Sequence, residues 1–206
     1  MKQLFILTGC AFLFACATGN EEGNLHAGHK IESLGAESYI DSLEKGLITK
    51  DTLKGSPLRV TMVNLEQQHI HLAYSSPGVK NRVVWGGLVP YQQVWVTGAH
   101  KATTISFTSP VVIQGKQIPE GMYALFTIPD SSSWTVILNK RYDQHLADEY
   151  QESEDVWRGQ VTPVQLEKPV ERLRYKLTKK DKQTAVLTFE WERKQVQLEI
   201  ANETKP

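Results

Sequence analysis

Four histidines carry the chemistry this sequence offers most directly. In Gln68-His69-Ile70-His71-Leu72-Ala73-Tyr74 the apolar Ile70, Leu72 and Tyr74 alternate with other residues. On a strand, His69 and His71 therefore lie side by side on the opposite face. His100 follows Thr97-Gly98-Ala99, and His145 stands within the run 143–150, DQHLADEY. A helix over that run gives His145 one face with Asp148 and Glu149. His71, His100 and His145, with Asp148 or Glu149 as a fourth group and His69 in reserve, form a ligand set for Zn or Cu. An open position there would let a bound water act as nucleophile. The plainer alternative is a polar strand face that meets solvent, with His100 and His145 unrelated to it. A second set is aromatic. Trp85, Tyr91 and Trp95, together with Arg82, offer ring faces and a cation to a small ligand, glycan or peptide, unless the rings fill a core instead.

These groups concentrate in His69 to Phe107, which holds three of the six histidines and two of the five tryptophans between strand-like runs. Ser75-Ser76-Pro77-Gly78 within it is turn composition rather than a nucleophile. The sequence has no Gly-x-Ser-x-Gly elbow, no phosphate-binding Gly-x-x-x-x-Gly-Lys, no His-Glu-x-x-His and no Gly-x-Gly-x-x-Gly. Serine hydrolases, P-loop enzymes, zincins and Rossmann enzymes are accordingly disfavoured.

The elements that must position these residues are strands. Short runs rich in β-branched and aromatic residues, bounded by Gly, Pro, Asn, Asp or Ser, occupy 59–65, 70–74, 93–97, 103–107, 111–113, 122–128, 134–139, 172–177, 185–191 and 195–200. They predict an all-β fold: a single antiparallel β-sandwich or distorted barrel of about ten short strands, with one short helix before it and one within it at 143–150. The earlier helix is read from Ala36, Tyr39, Ile40 and Leu43 at helical spacing, with Gly46 placed to end it. It either packs on the domain or serves as a spacer.

The chain begins with one positive charge at Lys2 and an apolar run from Leu4 to Ala15 that is too short to span a bilayer. Leu13-Phe14-Ala15-Cys16 then resembles a bacterial lipobox, a small residue before a cysteine that is diacylated, and Leu7-Thr8-Gly9-Cys10 is a poorer match because it leaves apolar residues outside. The expected layout is a signal peptide over 1–15, a lipidated Cys16 with tether and short helix over 16–56, and a β-sandwich domain over 57–206. This places the protein in the bacterial cell envelope, held to the membrane by its N-terminal lipid and facing the periplasm or the cell surface. With Cys10 removed and Cys16 acylated, no thiol is left to pair. His26-Ala27-Gly28-His29 in the tether has too few ligands for a structural metal site. The 23 basic and 23 acidic side chains balance, so nothing points to a nucleic-acid partner.

Several blocks also resemble a known family. YSSPGVKNRVVWGGLVPYQQVWVTGAHKATTISF, IPEGMYALFTIP, WTVILNK, DQHLADEY and FEWERKQVQLEI, in that order, are similar to the domain-of-unknown-function family 2911 of bacterial secreted proteins and lipoproteins. The resemblance runs from about Ser56 to Ile200. It implies a β-rich extracytoplasmic domain and assigns no activity. The family pattern has Asn where this chain has His100 and Trp-Gly near His145-Leu146, so a histidine site would belong to a subgroup. Two readings of function follow. One is an extracytoplasmic lipoprotein domain that binds a metal or small ligand through the histidine cluster. The other is an envelope structural, glycan-binding or peptide-binding lipoprotein.

Overall fold

The computed structural model describes Gly35 and residues 37–203; the expected signal peptide and lipobox, with Cys10 and Cys16, and also His26 and His29, lie outside the described residues. A helix, α1, covers 37–44. Ten strands follow: β1 (Leu58–Asn64), β2 (His69–Ser75), β3 (Thr103–Phe107), β4 (Val111–Ile113), β5 (Lys116–Ile118), β6 (Gly121–Ile128), β7 (Trp134–Asn139), β8 (Asp155–Val161), β9 (Val164–Lys179) and β10 (Thr184–Asn202). They form two antiparallel sheets, ordered β1-β2-β3-β6-β7-β8 and β5-β4-β10-β9. One apolar core lies between them, filled by Ile70, Leu72, Ile105 and Leu138 from the first sheet and Leu173, Leu187, Phe189 and Leu198 from the second. Among the described residues the fold is thus the expected sandwich, with no closed barrel.

Strand periodicity decides which residues enter that core. In β2, Ile70, Leu72 and Tyr74 are buried while His69, His71 and Ala73 stay partly exposed. Strands β6 and β7 depart from this alternation: Ala124, Leu125 and Phe126, and likewise Val136, Ile137 and Leu138, are all buried. Their outer faces are covered by a second cluster in which Val96 and Ala102 from one loop, with Ala147 and Tyr150 from another, pack on Ala124, Phe126 and Ile137. Continuous apolar runs are what a strand covered on both faces requires.

Strand β10 contains a further device. Its inward residues are Ala185, Leu187, Phe189 and Trp191, then Val196, Leu198 and Ile200. The parity changes because the register with β9 shifts on both sides of Glu192, whose φ is 52°. A bulge there bends the strand. The bend is sharp enough for Gln197 on the second half to donate to Thr188 Oγ1 on the first, at 3.3 Å. The runs at 185–191 and 195–200 are therefore one strand.

Three expectations need correction. Residues 93–97 make only a single bridge, Trp95 to Thr127, because Gln92 and Thr97 take left-handed φ values of 59° and 50° that turn the chain out of a ladder at each end. The helix over 143–150 does not form. Leu146 sits at φ 51°, and its N–H donates to the His100 carbonyl (2.6 Å) rather than backwards along a helix. The strands β5 and β8 were not expected. Strand β5 pairs with β4 through a two-residue turn in which Gln114 and Gly115 both have positive φ, 48° and 76°, the geometry that matches strand twist.

Candidate functional site

The histidines fall in two places. His69 and His71 occupy the outer face of β2, with ring centroids 6.3 Å apart. His69 Nδ1 lies 2.6 Å from Asn64 Oδ1 on β1. His100 and His145 belong to two turns laced over β6 and β7, where Lys101 bridges to His145. The expected pairing of His145 with Asp148 is present, Nδ1 to Oδ2 at 3.5 Å, on an exposed turn instead of a helix. Glu149 pairs with Arg141 instead. Among the described residues, no group of three or more His, Cys, Asp or Glu is placed to hold a metal ion. The structure therefore does not assemble His71, His100 and His145 into one ligand set.

The aromatic set is also divided. Trp85 packs edge-on against Trp95, Trp134 and Trp191, at centroid distances of 5.9, 4.8 and 5.8 Å, and Trp95 stacks on Trp191 at 5.8 Å. Their ring faces are occupied by one another and by Phe189. Edge-to-face contacts of this kind add to the burial of large apolar surfaces. Tyr91 is 38% exposed. The Arg82 guanidinium donates to the Val79 and Gly78 carbonyls of its own loop. Ser76, fully buried, donates to the Leu173 carbonyl at 2.7 Å, which agrees with a turn role.

A different part of the molecule forms a cleft. It measures about 850 Å³ and lies between residues 43–51 and the first half of β9, with Lys80 and Glu190 also in its wall. Its floor comes from strand alternation: Arg172 and Arg174 point away from the core because Leu173 and Tyr175 point into it. Across the ladder Glu190 faces Arg174, and Arg174 Nη1 also lies 3.4 Å from Glu44 of α1. Burial raises the Glu190 pKa, but hydrogen bonds from Arg174 and Gln195 and the charge of Arg174, with a further bond from Lys176, outweigh it and leave the carboxyl below its ordinary value. It stays ionised at neutral pH.

Arg172 pins the upper wall. Its side chain is fully buried; Nε is 2.8 Å from Asp51 Oδ2, while Nη1 and Nη2 donate to the carbonyls of Ser76 (2.8 Å), Gly55 (3.1 Å) and Leu53 (2.6 Å). Only guanidinium supplies enough donors for such a spread. Gly78 leaves room for this pair: a Cβ there would lie 2.7 Å from Asp51 Oδ2. On the other side of the wall, Arg59 is bonded to Glu37 and Glu44 of α1 (3.1 and 3.0 Å), and Ile40 of α1 is fully buried. Burial lowers the Arg59 pKa, but Tyr74 and these carboxylates raise it further, so it remains charged. The short helix packs on the domain.

Comparison with known proteins adds one finding: residues 56–200 match the family model described as protein of unknown function, DUF2911. The chain belongs to this family. No curated protein and no solved structure matches it. The DUF2911 match starts after Asp51 and α1, so about a third of the cleft lining, Leu43, Glu44 and residues 48–51, comes from outside the matched region. In this DUF2911 chain the cleft residues Arg172, Arg174, Glu190 and Asp51 were not singled out from sequence. A signal was present, in that Arg172-Leu173-Arg174-Tyr175-Lys176 sets three cations on one strand face. Their partners come from remote segments.

Proposed function

We propose that this chain is a lipid-anchored, extracytoplasmic DUF2911 domain that holds a small ligand bearing both charges, of the amino-acid or short-peptide class. The observation that carries the reading is the cleft between residues 43–51 and β9. Its volume of about 850 Å³ is within the roughly 300–1,000 Å³ of small-molecule sites. Lys50, Lys168 and Glu167 stand at its wall beside the paired Arg174 and Glu190, so both signs of charge are on offer. Binding, rather than proton transfer, suits a carboxylate kept ionised by its partners.

The test is a thermal-shift screen of amino acids, short peptides and neutral sugars, followed by calorimetry. A ligand present at about a hundred times its Kd raises Tm by roughly 5–10 °C in a domain of this size. Lys168→Ala and Glu167→Ala, both exposed, weaken binding and leave the ligand-free melt unchanged. If only neutral sugars shift Tm, or none of the three classes does, the reading fails.

The anchoring part rests on the apolar run before Cys16 and the polar residues after it. Two acyl chains suffice for stable attachment. No helix among the described residues is long and apolar enough to cross a membrane. Fractionation of Cys16→Ser and Cys10→Ser tests this: the first is released from membranes and the second is retained. The reverse result assigns the lipid to Cys10.

A further inference from the structure

Strand register brings together side chains that lie far apart in the chain. Met62 on β1 is opposite His71 on β2, His71 is opposite Ser106 on β3, and Ser106 is opposite Met122 on β6. These residues form one row across four strands, on the solvent face of the sheet. Their neighbours Val63, Ile70, Leu72, Ile105, Phe107 and Tyr123 point the other way, into the core. Met62 and Met122 are 54% and 45% exposed. The chain has only three methionines, the third being Met1, so both internal thioethers stand on this one face. His69 lies two residues along β2 from His71, its ring centroid 6.3 Å away.

We propose that this row is a copper(I) site, formed by His71, His69 and Met62, with Met122 as a second thioether. Thioether sulfur selects soft cations such as Cu(I), and imidazole, a borderline ligand that also takes divalent ions, completes a site of that kind. Residues directly opposite in an antiparallel pair hold their Cβ atoms about 4.5–5.5 Å apart, so the Met62 sulfur and the His71 ring reach one ion. Met122 lies two strands from His71, roughly 9–10 Å at the backbone. The short Ser106 side chain between them leaves its extended thioether room to approach. His69 is oriented in the manner of a ligand: its Nδ1–H donates to Asn64 Oδ1, which leaves the Nε2 lone pair for the metal. The row carries no lysine, arginine or carboxylate, which matches a monovalent ion bound by neutral groups. This site is separate from the cleft, and neither depends on the other.

The experiment uses the full chain with Cys10→Ser and Cys16→Ser, so that no thiol competes. Cu(I) affinity is measured anaerobically by competition with a chromogenic chelator, alongside zinc. One equivalent of Cu(I) is expected. Met62→Leu weakens Cu(I) by about tenfold or more and leaves zinc affinity unchanged, while His71→Ala weakens both metals. Asn64→Leu weakens Cu(I) by about tenfold through loss of the His69 hydrogen bond. X-ray absorption at the copper edge shows a sulfur scatterer that Met62→Leu diminishes. Circular dichroism of each variant matches the parent, since the substituted side chains face solvent. Absence of stoichiometric Cu(I), equal affinity in Met62→Leu, or loss of binding on His26→Ala and His29→Ala instead of His71→Ala would each overturn the site.

Discussion

Arg172 shows how much a single buried side chain can decide. It joins Asp51, Leu53, Gly55 and Ser76, residues from two segments far from it in sequence. Arg172→Ala leaves the Asp51 carboxylate buried and unpaired, a loss of about 3–5 kcal/mol for a pair of this type. Urea denaturation at pH 7 will register it as a lower midpoint, and Arg172→Lys will recover little, because an ammonium cannot span the same carbonyls. Glu190 adds a pH dependence of definite sign. Its folded pKa lies below the ordinary value, so its stabilisation is present above about pH 4.5 and is lost as pH falls through the lowered folded value. Glu190→Gln will be less stable than the parent at neutral pH, and the gap will close in acid. An unchanged gap from pH 7 to pH 3 would show that the carboxylate is not the group responsible. The row of cations at 172, 174 and 176 was legible in the sequence, but their partners were not. Arg172 reads as one polar position in an alternating strand, and Asp51, its ion-pair partner, is 121 residues earlier.

At the scale of elements, local pattern succeeded where the buried face alternates and failed where tertiary contacts set the structure. Strands β3, β4 and β7 begin and end where the sequence places them. Strand β5 was missed because Lys116-Gln117-Ile118 has one apolar residue, and the turn at 114–115 forces its pairing. The helix over 143–150 was expected from the spacing of His145, Asp148 and Glu149, but the segment instead packs Ala147 and Tyr150, partly buried, on β6 and β7 without any helix and leaves Leu146 exposed. The row of Met62, His71 and Met122 could not be seen at all, because cross-strand neighbours follow from register and register from the fold. Helix α1 carries a prediction of its own. A chain beginning at residue 56 loses Ile40 from the apolar contacts, the partners of Arg59 and the partner of Arg172. Compared with a chain beginning at residue 35, it will unfold at a lower urea concentration by several kcal/mol of stability, roughly the 3–5 kcal/mol of an orphaned buried charge or more. Equal midpoints would mean that α1 and its following segment add nothing.

On the scale of the whole molecule, the two sheets share one core cluster that runs from Val63 to Ile200. A body built this way loses its packing in a single step. Heating should give one calorimetric transition whose van't Hoff and calorimetric enthalpies agree, and two resolved peaks would divide the core. Strand β10 gives this unity a physical basis, since it pairs with β9 from Ala185 past the bulge at Glu192 to Gln195 and with β4 at Ala201 and Asn202, joining both sides of the smaller sheet to one backbone.

The attachment of residues 37–57 has a mechanical consequence. Any pull from the N-terminal side reaches α1 and the Asp51–Arg172 pair before it reaches a strand of either sheet. Those contacts are a few side chains loaded one after another, whereas β1 is held to β2 along its whole length. Under tension the chain should peel from residue 37 to residue 57 first, to an extended length of roughly 70 Å at about 3.3–3.6 Å per residue, while the sandwich stays folded. The segment would act as a fuse that extends to relieve load on the sheets and re-seats when the load is removed.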